Sequence, residues 1–272
     1  MPTRRKSRTE VFLKSTASNN LAMTTPDRTG KPEDLGLIEL FGEPSSPFVR
    51  TISLALSELN IHYIPIARSS HSDEIKSRNP YGLTPVLIHR PDGLYARPED
   101  VITLSEGSIR RYVDELLFPL SSTHRHLTPP LRSSGGVVDA KTVVSRSRLD
   151  GLISKLSQTI IPTLDAGYIK PASALAKQGK DAETINSTLA EPLTRIHTLL
   201  EIVEGQAAKN AKWLLEGENL TWADLFLFPV LDDLRSSPAG HLVSGNSPNF
   251  AWLSGWLRRM DERVSVEVGK KA

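Results

Sequence analysis

The chain has 272 residues, 39% hydrophobic and 24% charged, the make-up of a soluble globular protein with room for two modest domains. It contains no cysteine, which excludes disulfides, zinc–cysteine sites and a protein thiolate nucleophile. The net charge of +2 is uneven, +3 over residues 1–35 and −1 over the rest, and no run approaches ~18 consecutive apolar residues, so the body reads neither as a nucleic-acid binder nor as membrane-spanning.

Residues 1–35 start basic (Arg4, Arg5, Lys6, Arg8) and hold too little apolar material to pack, so a disordered tail is expected there. The expected location is cytoplasmic, with a mitochondrial transit peptide as the alternative reading of this acid-poor start. Leu37–Asn60 follows: an alternating apolar run, a loop of Gly42, Pro44, Ser45 and Ser46, then Phe48, Ile52, Ala55, Leu56 and Leu59 at helical spacing. This predicts strand, turn and helix, with two hydroxyls where the helix begins. A helix N-terminus offers unpaired N–H groups and the positive end of a macrodipole, so a hydroxyl held there is placed to stabilise an anion.

Ile61–Ile66 predicts a second strand, which Pro65 confines to a sheet edge. N-P-Y-G-L-T-P leads into a strand at Val86–His89, and another at Val101–Leu104 ends at Ser105-Glu106, where a helix with Ile109, Tyr112, Val113 and Leu116 begins. The order β-α-β, then β-β-α, implies a small mixed sheet with helices on it. Residues 119–138 read as an interdomain linker. Beyond them only helical spacing recurs, over Val138–Leu164, Ala182–Val203, after Leu220-Thr221-Trp222-Ala223-Asp224, and over about 250–261. The expected organisation is a tail (1–35), an α/β domain (36–118), a linker (119–138), an all-helical domain (139–262) and a short tail (263–272).

Four pieces in this order carry a resemblance: S-S-P-F-V-R-T-I-S-L-A-L-S-E-L-N-I, N-P-Y-G-L-T-P-V-L, L-S-E-G-S-I-R-R-Y-V and L-T-W-A-D-L-F-L-F-P. Over residues 36–262 the chain resembles the cytosolic glutathione transferases, a thioredoxin-like domain with a four-stranded mixed sheet followed by a helical bundle. The resemblance implies that Ser46, before Pro47-Phe48 as in the serine-type, tau-like classes, hydrogen-bonds the glutathione sulfur, with Ser45 as the alternative. It implies a cis Pro85, a Thr84 backbone that pairs with the tripeptide as if extending the sheet, and a Glu106 facing the γ-glutamyl ammonium. Two positions depart from the family. Gly107 stands where a serine is usual, leaving Ser108 as the nearest hydroxyl, and Leu83 stands where many members have a polar or basic residue.

The resemblance further implies a homodimer that uses glutathione as co-substrate to conjugate or isomerise a small apolar electrophile. The missing cysteine removes the subclasses that form a mixed disulfide. The rival reading is a non-catalytic interaction module on the same fold, favoured by Gly107 and Leu83. Without the resemblance, Ser45 and Ser46 read as N-caps, and Thr221 with Asp224 reads as a capping box with Leu220 and Leu225 as staple. His124 and His126 lack a third ligand, so no metal site is expected. The four tryptophans read as packing residues, whereas Tyr112 and Tyr168 read equally as packing residues or as residues facing the electrophile pocket.

Overall fold

The computed structural model describes residues 35–93, 97, 101–105, 107–121, 123, 125–131, 136, 138–207, 209, 212–215, 218–245, 249–263 and 265–266. The proposed N-terminal tail through Asp34, Glu106 and His124 lie outside them. Strand β1 (Leu37–Phe41) leads to α1 (Pro47–Glu58), β2 (Ile64–Ile66), a single turn α2 (Asp73–Lys76), β3 (Val86–Arg90) and β4 (Ile102–Ser105). The sheet order is β2-β1-β3-β4, with β1 and β2 parallel and the other pairs antiparallel. Pro65 therefore sits in an edge strand, where its missing N–H costs no ladder bond. Alternation sorts the two faces: Ile38, Leu40 and Leu87 join the main core, whereas Phe41, Val86 and Ile88 form a smaller cluster with Ile75 of α2. The architecture is a thioredoxin-like α/β half followed by an all-helical half.

Helix α3 spans 107–120 and α4 spans 140–177, followed by α5 (Ala182–Thr188), α6 (Ala190–Ala207), α7 (Trp222–Arg235) and α8 (Ala251–Asp261). Spacing predicts that α4 ends at Leu164, but it continues through Pro162 and Pro171 to Lys177. Three π-turns explain how: Val113–Leu117, Leu156–Ile160 and Asp165–Ile169 each precede a proline by two residues. A proline lacks its N–H and crowds the carbonyl four residues back. Those carbonyls belong to Glu115, Gln158 and Gly167, all inside π-turns, where the wider turn makes room. Another difference lies at 182–203, predicted as one helix but broken at Leu189. Pro192 cannot supply a mid-helix N–H, so the chain restarts and places it in the first turn of α6.

Helix α7 is buried nearly all round and forms the centre of the helical half. It grips α1 directly: Arg50 donates to Asp232 at 2.6 Å, to Asp233 at 2.5 Å and to the Pro229 carbonyl at 3.1 Å, while the Thr51 hydroxyl reaches the Leu225 carbonyl at 3.2 Å. The start of α8 is closed from α6, because the Glu204 carboxylate accepts from the Trp252 and Leu253 N–H groups at 2.8 and 2.9 Å. Trp213, Trp222 and Trp256 are buried and Trp252 partly so, as expected of packing residues.

In β3, His89 is buried with a partner on each nitrogen: the Leu35 carbonyl 2.5 Å from Nε2 and the Tyr112 hydroxyl 2.6 Å from Nδ1. A neutral ring satisfies both, with Nε2–H donating and Nδ1 accepting. Burial pushes its pKa below 6.5 against the pull of the Leu35 carbonyl, and burial raises the Tyr112 pKa to about 12. The unfolded chain takes up a proton near pH 6.5 that the folded ring refuses, so stability falls as pH drops below that value. We expect melting temperature to decline from pH 7.5 to about 5.5, and this slope to flatten in His89→Gln.

Candidate active site

The register places the described sequence-predicted site elements at one end of the sheet. Phe41, Val86 and Ser105 pair in a row across β1, β3 and β4, with Ile66 of β2 opposite Phe41. The turn to Ser45 and Ser46 leaves from Phe41, Thr84 and Pro85 lead into Val86, and Gly107 and Ser108 follow Ser105 at the start of α3. The sites therefore converge because antiparallel pairing brings the end of one strand to the start of the next.

Local sequence fixes the Ser46 backbone. A residue before proline is driven out of the α region, and Ser46 has φ −69° and ψ 126°, so it stands at the N-cap with Pro47 opening the helix. Its carbonyl accepts the first helical bond, from Arg50 at 3.0 Å, but its hydroxyl caps nothing. Ser45 is exposed in the turn. Between Ser45, the C-terminal third of α4 and the end of α7 lies a cavity of about 530 Å³. Ile169, Ala172 and Ala176 give it apolar surface; Lys170, Ser173 and Asp233 give it polar groups. Lys170 is paired with Asp165 at 2.6 Å, and Asp233 with Arg50. Burial pushes the Asp233 carboxyl above its ordinary range, Arg50 pulling against it.

The Thr84–Pro85 peptide is cis. Thr84 makes no main-chain hydrogen bond to any described residue, and its hydroxyl meets that of Ser70 at 2.9 Å. Next to it, the His71 N–H donates to the Gly82 carbonyl at 2.7 Å. Gly82 has φ +72°, and a Cβ there would lie 2.4 Å from the His71 ring, so only glycine allows this approach. Spacing does not single out Ser70, His71, Arg50 or Asp233, because their neighbours are distant in sequence. Leu83 is 42% exposed. Ser108 is exposed, and a Cβ on Gly107 would meet nothing within 4 Å. Among the described residues no group of three His, Asp or Glu could hold a metal, and no helix is long and apolar enough to cross a membrane.

Two family models match: the glutathione S-transferase N-terminal domain over residues 40–116 and the glutathione S-transferase C-terminal domain over 188–259. The chain belongs to the glutathione S-transferase family. Glutathione S-transferase-I bound with lactoylglutathione is 20% identical with TM-score 0.63, over 87% of this chain and 99% of that one. Glutathione transferase F7 from Populus trichocarpa is 18% identical with TM-score 0.62, over 86% and 98%. Ure2p in complex with glutathione is 21% identical with TM-score 0.58, over 86% and 98%. At these identities the glutathione S-transferase structures share the fold. No curated protein matches the sequence significantly.

Proposed function

We propose that the protein binds glutathione at this end of the sheet and activates its thiol for conjugation to, or isomerisation of, a small electrophile in the cavity beside Ser45. The observation that carries this reading is the Ser46 hydroxyl, which sits at the N-cap of a 12-residue helix without capping it and so remains available to a ligand. Several solved relatives hold glutathione or its derivatives, among them a Pseudomonas fluorescens family member with two glutathione bound.

In this reading Ser46 donates to the sulfur, with Ser45 as the alternative. The Thr84 main chain, which bonds to no described residue, pairs with the peptide, and Glu106 takes the γ-glutamyl ammonium. His71 supplies the polar group that Leu83 lacks. A thiol of pKa ~8.5 is only a few per cent thiolate at pH 7, and lowering that pKa by about two units requires about 2.7 kcal/mol. A partly buried helix N-terminus contributes up to about 2 kcal/mol and a hydrogen bond to the anion about 1.5–3, so the two suffice. The cavity suits an electrophile with an apolar body and a polar substituent. The chain has no cysteine, so the route is attack by glutathione itself and not a protein mixed disulfide. A homodimer is part of the same reading, checked by sedimentation.

Retention on immobilised glutathione, together with conjugation of a generic aryl halide that is lost in Ser46→Ala, tests the proposal. No binding at millimolar glutathione overturns it and leaves an interaction module. Gly107→Ser gives a gain-of-function test, since the added side chain has room and supplies the missing hydroxyl. Glutathione affinity should rise about threefold to tenfold, the value of one net hydrogen bond, measured by calorimetry.

A further inference from the structure

The end of α1 far from Ser46 borders a second polar cavity, about 400 Å³ in volume, lined by Arg125, Lys212, Arg259 and Arg263 with Glu58 and Glu262. We infer that it binds a phosphate dianion, free or as the head of a small phosphomonoester. Of its two carboxylates, Glu58 is already spent. It is buried and accepts from Arg263 through Nε and Nη2, from the Ser265 hydroxyl at 2.5 Å, and from Arg125 at 3.4 Å. Glu58 thus offsets Arg263, and among the described lining residues three cations, Arg125 (only loosely paired with Glu58), Lys212 and Arg259, are balanced by one further carboxylate, Glu262.

That residual charge of about +2 matches a dianion. Lys212 is exposed and pairs with no carboxylate among the described residues; its ammonium lies 5.8 Å from the Trp213 ring centroid. Arg259 donates to the Lys212 carbonyl at 3.0 Å, but its Nε is buried with no acceptor among the described residues, so its donor capacity is not exhausted by them. Burial and the neighbouring Arg258 both disfavour its charge, and an incoming anion offsets both. Two guanidinium forks and an ammonium around one cavity suit a tetrahedral oxyanion with several acceptor oxygens better than a single carboxylate. The helix rise puts this cavity roughly 18 Å from Ser46 along α1, so occupancy does not compete with a ligand there.

Calorimetry of the full chain with inorganic phosphate, ionic strength held constant with chloride, is the test. Saturable binding that weakens at least tenfold in Lys212→Gln/Arg259→Gln, and severalfold in Lys212→Gln alone, supports the site. The single variant guards against misfolding, because Lys212 is exposed and forms no ion pair among the described residues. Phenyl phosphate run in parallel separates the sources: tighter binding than inorganic phosphate assigns a monoester, weaker binding the free ion. Absence of saturable phosphate binding, or binding undiminished in both variants, overturns the inference.

Discussion

Replacing Asp224 by alanine is expected to destabilise the protein by about 3–5 kcal/mol, the cost of breaking a buried charged network from one side. Asp224 is 0% exposed, and each of its oxygens faces two donors. One accepts from the Leu214 N–H at 3.0 Å and Trp256 Nε1 at 2.9 Å; the other accepts from the Thr221 N–H at 2.9 Å and hydroxyl at 3.0 Å. Burial pushes the carboxyl above its ordinary range, and these four donors pull it back. Three of the four partners are N–H groups that can only donate, so the carboxyl serves chiefly as an acceptor. Alanine would orphan four buried donors from three separate segments, and with them the start of α7. Urea unfolding measures the effect as a fall in midpoint. Thr221→Ala provides the graded control, at about 1 kcal/mol for loss of a single cap contact. If Asp224→Ala cost no more than Thr221→Ala, the residue would be an ordinary capping-box member and its bonds to Leu214 and Trp256 immaterial.

That comparison marks how far the sequence could be read. Thr221 and Asp224 lie three apart, so their pairing was legible from spacing; the Leu214 and Trp256 donors lie ten and 32 residues away, and no spacing rule reaches them. The same holds for Arg50 with Asp232 and Asp233, and for Glu204 at the start of α8. Strand alternation, the edge placement of Pro65 and the helical half were readable because each depends on local pattern.

The continuation of α4 beyond Leu164 was not readable, for a reason visible in its buried face. Leu156, Ile160, Leu164, Tyr168 and Ala172 are all buried at intervals of four. In a straight α-helix that spacing would drift by about 160° over the stretch, whereas the π-turns hold these residues on one side. A search at period 3.6 therefore loses the face and, with it, the residues that α4 turns toward Ser45. The candidate site was legible to the same extent: its residues were named from motifs, their convergence follows from strand register, and the polar lining of the cavity came only with the fold.

Ser46→Ala should cut the conjugation rate about fivefold to fiftyfold at pH 6.5, with the difference narrowing as pH rises. If bound glutathione ionises near pH ~6.5 in place of ~8.5, about half of it is thiolate at that pH, against about one per cent free in solution. Removing a hydrogen bond worth about 1.5–3 kcal/mol to the anion raises the bound pKa by about one to two units, and the helix terminus supplies what remains. The loss is thus an ionisation effect. It should appear as a shifted pH–rate profile and a diminished thiolate absorbance on titration, with the binding of S-methylglutathione, which has no thiol to ionise, left unchanged. Ser46→Thr, which keeps the hydroxyl, should recover most of the rate. Ser45→Ala discriminates between the adjacent hydroxyls: a profile shifted in that variant alone moves the sulfur contact one residue back, to the serine that lines the cavity. If neither substitution moves the profile, the helix N-terminus acts without a hydroxyl, and the uncapped Ser46 side chain is only a consequence of the proline that follows it.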